Sequence, residues 1–431
     1  MFSCSANKGY IVASISVKKD NTLILSGSIV NEKKYNEIFI AKVDASLNLN
    51  EMIELPQKRN IQSKGLIQDA NKNVIVLSTA YRDRDNTYIN IRLTKLDPNN
   101  NVLWDTIYKN DNNLTLESYY RSPIIQINDG SFLVLSQYQI PSRKNDILLY
   151  KIDKNGKKIW EKSFGTLEED KLAVLLPNND NTYSLFYMTE LNENNIDIYA
   201  LTVVKIDKNG KRLYSKRYFR TKQDTNVNLV LPGIFPTKNG GYILFGTARR
   251  ITKIENRATK YILKIDVNGD VVWEQSIKDE VPFSKLVYLF KTDKDYVSFA
   301  MNYNSLDEPF ISVVRFDDKG SVSKTEDYKE LKILITGAIA LKDKGFLIVG
   351  GRYNKKKKIE SFVFKVDKNL KLLWTQQLET LPYVYGLPIL KERPDGKVLM
   401  GYTYKKEAKS TFRIQLQLLD SNGTILKKTE I

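Results

Sequence analysis

The sequence contains no histidine and a single cysteine. Without an imidazole there is no histidine general base, no Ser-His-Asp or Cys-His nucleophile, no His-ligated haem and almost no zinc site. Any catalysis falls to Asp, Glu, Tyr, Lys or Arg. Long apolar runs are missing too: Lys, Asn or Asp breaks every hydrophobic stretch within about ten residues, short of the roughly 18 a membrane helix needs. Proline is scarce, 12 in 431 residues, whereas 25 Tyr and 17 Phe favour strands. No metal site, cofactor or second domain is expected.

The lone thiol, Cys4, stands in Met1-Phe2-Ser3-Cys4-Ser5. No basic and apolar leader precedes it in the chain as written. Yet a hydrophobic residue, a small residue, Cys and another small residue resemble the end of a bacterial lipoprotein signal. The expectation is an extracytoplasmic protein, periplasmic or on the cell surface, membrane-anchored by a lipid on Cys4. The alternative is a free thiol in a cytoplasmic protein.

What the chain does contain is a repeat. In Asp146-Ile-Leu-Leu-Tyr-Lys-Ile-Asp153-Lys-Asn-Gly156-Lys-Lys-Ile-Trp160-Glu-Lys-Ser-Phe164, two strand-like runs flank Asp-Lys-Asn-Gly, a hairpin turn in which Asp accepts backbone N–H bonds and Gly supplies a positive φ. The pattern recurs at Asp44, Asp97, Asp153, Asp207, Asp266, Asp317, Asp367 and Asp420, spaced 50 to 59 residues apart. Two more runs precede each hairpin, so each unit holds four strands, a to d. Such a period predicts propeller blades: an all-β, eight-bladed β-propeller of four-stranded antiparallel blades. The units run at about 10–55, 63–108, 119–164, 170–219, 227–277, 283–328, 333–378 and 383–431, after a tail at 1–9. Whether the ring closes blade to blade or borrows an N-terminal strand stays open.

Three columns have physical readings. Seven residues after the anchoring Asp stand Trp104, Trp160, Tyr214, Trp273 and Trp374, a register that suits rings docking on a neighbouring blade rather than stacking on a ligand. A small column, Ser26, Ser78, Ser136, Gly246, Ala300, Gly350 and Gly401, marks where sheets approach face to face. A basic column, Lys42, Lys95, Lys151, Lys205, Lys264, Arg315 and Lys365, is expected to pair across strands with acids such as Asp105, Glu161 and Glu274 on a solvated outer face. Asp266-Val-Asn268-Gly-Asp270 has too few oxygens for a calcium loop and reads as a turn.

The run Lys-Ile-Asp-x-Asn-Gly-x-x-x-Trp, preceded by Gly-Gly-Tyr-Ile-Leu-Phe-Gly, resembles the repeat of exported bacterial β-propeller proteins. More distantly it is similar to the docking repeat of the pyrroloquinoline-quinone-type propellers, though its Gly lies one residue closer to the Asp, and Lys324 and Lys427 replace the aromatic in the sixth and eighth units. That group includes quinone-dependent dehydrogenases with a disulfide of adjacent cysteines, which a chain with one cysteine lacks, and non-catalytic scaffolds. The resemblance therefore implies a propeller, with a binding scaffold as the closer analogy.

In a propeller the b–c and d–a connections share one face, where binding residues concentrate. Two b–c connections are long and basic, with Arg249, Arg250, Lys253 and Arg257 in the fifth unit and Arg352, Tyr353, Lys355, Lys356, Lys357 and Lys358 in the seventh; Lys405 and Lys406 follow in the eighth. Tyr81, Tyr303, Tyr353 and Tyr404 stand three residues after the small column. Cations among aromatics suit an anionic partner, while the bland reading is solvated charge in a Lys-rich chain of net charge +17. The expected function is a monomeric, non-catalytic binding or scaffolding propeller for a protein or an anionic polymer such as a glycan. The alternatives are a glycan hydrolase or lyase with axial carboxylates, Tyr, Lys or Arg, and nucleic-acid binding through the basic rim.

Overall fold

The computed structural model describes the chain except residues 1–7, 32–35, 56–60, 82–88, 110–112, 116–122, 140–144, 194–195, 219–232, 252–255, 278–282, 305–307, 354–358, 379–382 and 408. The described residues form eight antiparallel sheets and no helix. Each sheet is a blade whose strands a, b, c and d follow chain order. Blade 1 comprises Lys8–Val17, Leu23–Asn31, Asn36–Val43 and Leu49–Leu55. Blades 2 to 8 follow at 61–108, 113–163, 169–218, 233–277, 283–328, 334–377 and 383–430. In blade 3 strand a is split into Asn113–Thr115 and Ile124–Gln126, both paired with Phe132–Gln139.

Local chemistry builds each blade. Every anchoring Asp turns its carboxylate back on its own hairpin: Asp153 Oδ1 accepts the N–H groups of Asn155 and Lys157 at 2.9 and 2.8 Å, and Asp420 does the same for Asn422 and Thr424. The residue three places on takes a positive φ, as at Gly156 with φ 86°. Alternation along strands b and c then sends apolar side chains to both faces, so the core is divided into eight slabs, one between each pair of adjacent blades.

The docking column explains how blades meet. Trp104 donates its indole N–H to the Lys154 carbonyl of blade 3 at 3.0 Å, and a Cβ on Gly156 would sit 2.8 Å from its ring. Trp160 lies on Gly210, Tyr214 on Gly269, Trp273 on Gly320 and Trp374 on Gly423 in the same way. Wherever the d strand lacks the ring, the next turn lacks the glycine. Glu51 faces Asn100, Lys324 faces Leu370, and Lys427 of blade 8 faces the turn of blade 1 that carries Leu47. Leu47 and Leu370 are fully buried at positive φ, filling the space a tryptophan occupies elsewhere.

The eighth seam follows the same rule, and among the described residues no strand is exchanged to close the ring. Blade 8 meets blade 1 through a shared apolar slab that includes Ile15, Leu25, Leu399 and Leu416. Hydrogen bonds from Tyr10 N to Phe412 O at 2.8 Å, Val12 N to Thr403 Oγ1 at 3.0 Å and Arg393 Nη1 to Ala45 O at 2.8 Å complete it. Gly401 belongs to this contact, since a Cβ there would stand 2.4 Å from Ile15 Cδ1.

The basic column departs from its expected place. Lys95, Lys151, Lys205 and Lys365 are buried, and they pair with Asp69, Asp129, Asp180 and Asp343 of the a–b turns at 2.9, 2.9, 3.0 and 2.6 Å. Lys42 makes the expected cross-strand pair with Glu51 at 3.1 Å, and Lys42, Lys264 and Arg315 also reach carbonyls in the c–d turn of the following blade. Of the acids expected as partners, Asp105 instead holds the buried Arg92, Glu161 holds Lys158 and Glu274 accepts from the Tyr261 hydroxyl. The reason is reach: a long side chain at the end of strand c satisfies a turn on its own face before it extends over the solvated edge. The column clamps the bottom of the ring.

Candidate functional site: the top face at blades 7 and 8

Strand a carries an irregularity in most blades, typically one residue in excess, as between Val12 and Ser14 or Ser63 and Gly65. Blade 8 is different. Its strand a, Tyr383–Glu392, pairs Tyr385 with Thr403 and Ile389 with Gly401, so Gly386, Leu387 and Pro388 stand opposite Tyr402 alone. Gly386 makes this excursion possible, with φ 76° and open space around it. Tyr385 and Leu387 are thrown outward at 54% and 65% exposure, with Val384 beside them.

Next to the excursion a crevice of about 160 Å³ opens between the upper ends of blades 7 and 8, walled by Val349, Leu378, Val384, Pro388, Met400 and Tyr402. Tyr402 is fixed from behind: its hydroxyl donates to Gln415 Oε1 and accepts from Gln417 Nε2, both at 2.8 Å. The wall is thus preorganised.

The cations expected on this rim are present but engaged. Arg352 donates from Nε to Glu360 at 3.0 Å and lies 4.8 Å from the Phe362 ring centroid. Lys405 Nζ stands 4.3 Å from the centroid of Phe412, whose ring meets Tyr385 edge-on at 5.1 Å. Lys406 and Arg413 share Glu430, which also accepts from Tyr404. Tyr404 is buried rather than on the rim, and Glu430 is held below the usual carboxylate range, its hydrogen bonds from Tyr404 and Arg413 outweighing burial. Sequence alone did not single out Tyr385, Leu387, Glu360 or Glu430; the only signal for the first two is Gly386-Leu387-Pro388 inside a strand-like run.

Several expected residues are not brought together here. Arg249, Arg250 and Arg257 lie in blade 5, where Tyr242–Ile251 and Asn256–Ile265 form one continuous ladder with Arg250 opposite Arg257, so this segment is an extended hairpin more than a loop. Their side chains, and that of Tyr353, are outside the described part. Cys4, Lys253, Lys355, Lys356, Lys357 and Lys358 lie outside the described residues altogether.

One pair of carboxyls does come together, between blades 3 and 4. Asp170, wholly buried, accepts from Thr189 at 2.7 Å and from the Thr166 amide, and Asp146 accepts from Ser163 at 2.9 Å. Gly165 seals them, for a Cβ there would collide with Asp146 Oδ1 and stand 2.9 Å from Asp170 Oδ2. Burial, with the nearby Asp146 charge adding to it, raises the Asp170 carboxyl to about 6 against its hydrogen bonds. A hydrolytic pair must meet substrate; this one is enclosed in a seam.

No protein-family model matches the chain, and no curated protein does. Among solved structures it is similar to a eukaryotic initiation factor, at 9% identity over 100% of this chain and 90% of that one, with a TM-score of 0.52. It is also similar to the WD40 domain of SCAP from fission yeast, at 8% identity over 91% and 93% with a TM-score of 0.47. The propeller domain of the Trilobed protease from Pyrococcus furiosus matches at 10% over 86% and 96%, TM-score 0.44. At 9% identity the first of these likenesses speaks for the fold alone. The class defined by fold and site is a β-propeller consistent with binding or scaffolding.

Proposed function

We propose that the protein is a non-catalytic interaction platform that binds an acidic protein segment bearing one apolar anchor residue, on the top face where blades 7 and 8 meet. The observation that carries this reading is the excursion at Gly386, Leu387 and Pro388, which exposes an apolar run beside a preformed crevice. Exposed apolar groups around a fixed pocket are what a partner's anchor side chain requires. The net charge of +17 favours an acidic sequence around that anchor, which would compete with Glu360 and Glu430 for the rim cations.

The test is a fluorescence-anisotropy panel on the whole protein: acidic peptides with and without a central Leu or Phe, basic peptides with that anchor, an anionic polysaccharide and a single-stranded oligonucleotide. The acidic anchored peptide is expected to bind about tenfold or more tightly than either peptide control, roughly the effect of one buried apolar side chain. Equal or tighter binding of the polysaccharide or oligonucleotide contradicts the proposal.

We also propose that the platform works outside the cytoplasm, tethered by a lipid on Cys4, on the strength of the Phe2-Ser3-Cys4-Ser5 pattern. Fatty-acid labelling of the protein expressed from its own gene, lost in Cys4→Ser, is the expected result. Absence of label on the unaltered protein overturns it.

A further inference from the structure

The bottom face of the ring is built from a–b and c–d turns that touch around the circle, and it breaks its own pattern in one place. In seven blades the a–b turn is closed by a backbone hydrogen bond from residue i to i+4, as Ile127 to Ser131 or Leu341 to Gly345. In blade 6 the bond runs from Thr292 to Asp295, one residue shorter. The missing residue leaves space on both sides of that turn. Toward blade 5 this space is a cavity of about 700 Å³, within the range of small-molecule sites.

A second irregularity sets the charge of this cavity. In blades 3, 4 and 7 the third residue of the a–b turn is Asp129, Asp180 or Asp343, each holding the lysine of strand c. In blade 5 that place is taken by Asn239, and Lys264 turns away to Asp318 of blade 6 at 2.5 Å. The other carboxylates of the cavity are committed as well: Asp266 accepts from the amides of Asn268 and Asp270 in its own turn, and Asp293 is paired with Lys344 from blade 7. Lys291 donates to the Pro236 carbonyl at 3.3 Å. Lys238 and Lys294, one from each blade, line the cavity and form no ion pair closer than 4 Å among the described residues, although the Lys294 charge acts on Asp293, whose closer partner is Lys344. Two lysines without a close ion pair therefore line a space from which the repeat's usual carboxylate has been removed, together with Asn239 and Tyr296.

We infer that this cavity binds a small organic anion, its acidic group a phosphate or a carboxylate held between Lys238 and Lys294, its body resting against Tyr296 and Val272. The site is independent of the top face. Lysines suit it as point charges that serve either acid group. Asn239 contributes donors where an aspartate repels.

The experiment is calorimetric titration of the whole protein with glucose 6-phosphate, glucuronate and neutral glucose as probes. At least one acid is expected to bind at about 1 mM or tighter and glucose not at all; whichever acid binds names the group recognised. Lys238→Ser with Lys294→Ser is expected to weaken binding about tenfold or more, the scale of a lost charge-assisted hydrogen bond. Asn239→Asp restores the residue type of blades 3, 4 and 7 and so retains the fold, and it is expected to abolish binding. Failure of both acids at ~10 mM, a weak-fragment limit, overturns the inference. So does glucose binding as well as the acids, or an unchanged affinity in Asn239→Asp with an unchanged melting temperature.

Discussion

At the scale of single residues, the ring is held by complementary pairs that lie about fifty residues apart. An aromatic ring on strand d and a glycine in the next blade's turn occur together because a Cβ would press into the ring, and in two of the three seams without the ring a buried leucine, Leu47 or Leu370, stands in the glycine's place. This is a coupling that can be measured. Trp374→Lys and Gly423→Leu are each expected to cost about 1–3 kcal/mol, and the double variant less than their sum by about 1 kcal/mol, as judged by denaturant melts in a double-mutant cycle. Additive losses count against the pairing. A second residue-scale effect is electrostatic. The folded-state pKa of Asp170 lies above its unfolded value, so the carboxyl favours the fold while protonated. Its contribution is full below pH ~4 and is lost as the pH rises through about 6. Asp170→Asn is therefore expected to gain stability relative to the unaltered protein between pH 4 and 8, by roughly 2–3 kcal/mol. A constant difference across that range contradicts the assignment. The turn carboxylates Asp44, Asp207 and Asp420 act in the opposite sense: backbone hydrogen bonds lower them, and what they contribute is lost only as the pH falls through their depressed values.

At the scale of elements, what sequence made legible divides by how local the cause is. The Asp-x-Asn-Gly turns read directly, because the carboxylate, the amides it accepts from and the positive φ lie within five residues. The aromatic column read as a docking device because its register repeats, yet its glycine partner was hidden one blade away. The basic column misled in most blades: Lys42 keeps Glu51 of strand d, but Lys95 or Lys365 chooses a turn aspartate from a different hairpin over the acid expected on strand d. The top-face site was hardest to read. Gly386-Leu387-Pro388 becomes an excursion only through the register between Tyr383–Glu392 and Val398–Lys405, which fixes Tyr385 and Ile389 opposite Thr403 and Gly401. By contrast, the shortened turn at Thr292–Asp295 and the asparagine at 239 are visible in the sequence once the blades are aligned on their turns.

At the scale of the whole molecule, the eight seams make one closed circuit in which the last blade meets the first through an apolar slab, as every other pair does. Stability is thereby spread over repeated interfaces, and the repeat leaves the copies free to differ where they are not in contact. Both places singled out for binding are such differences, an excess of residues in blade 8 and a missing one in blade 6. The measurement that tests this most directly is the affinity of the acidic anchored peptide for the protein carrying Tyr385→Ser and Leu387→Ser, with the melting temperature recorded alongside. Both side chains are exposed and belong to no seam, so the account predicts affinity lower by about tenfold or more at an unchanged melting temperature. Undiminished affinity in a variant that melts normally would contradict it.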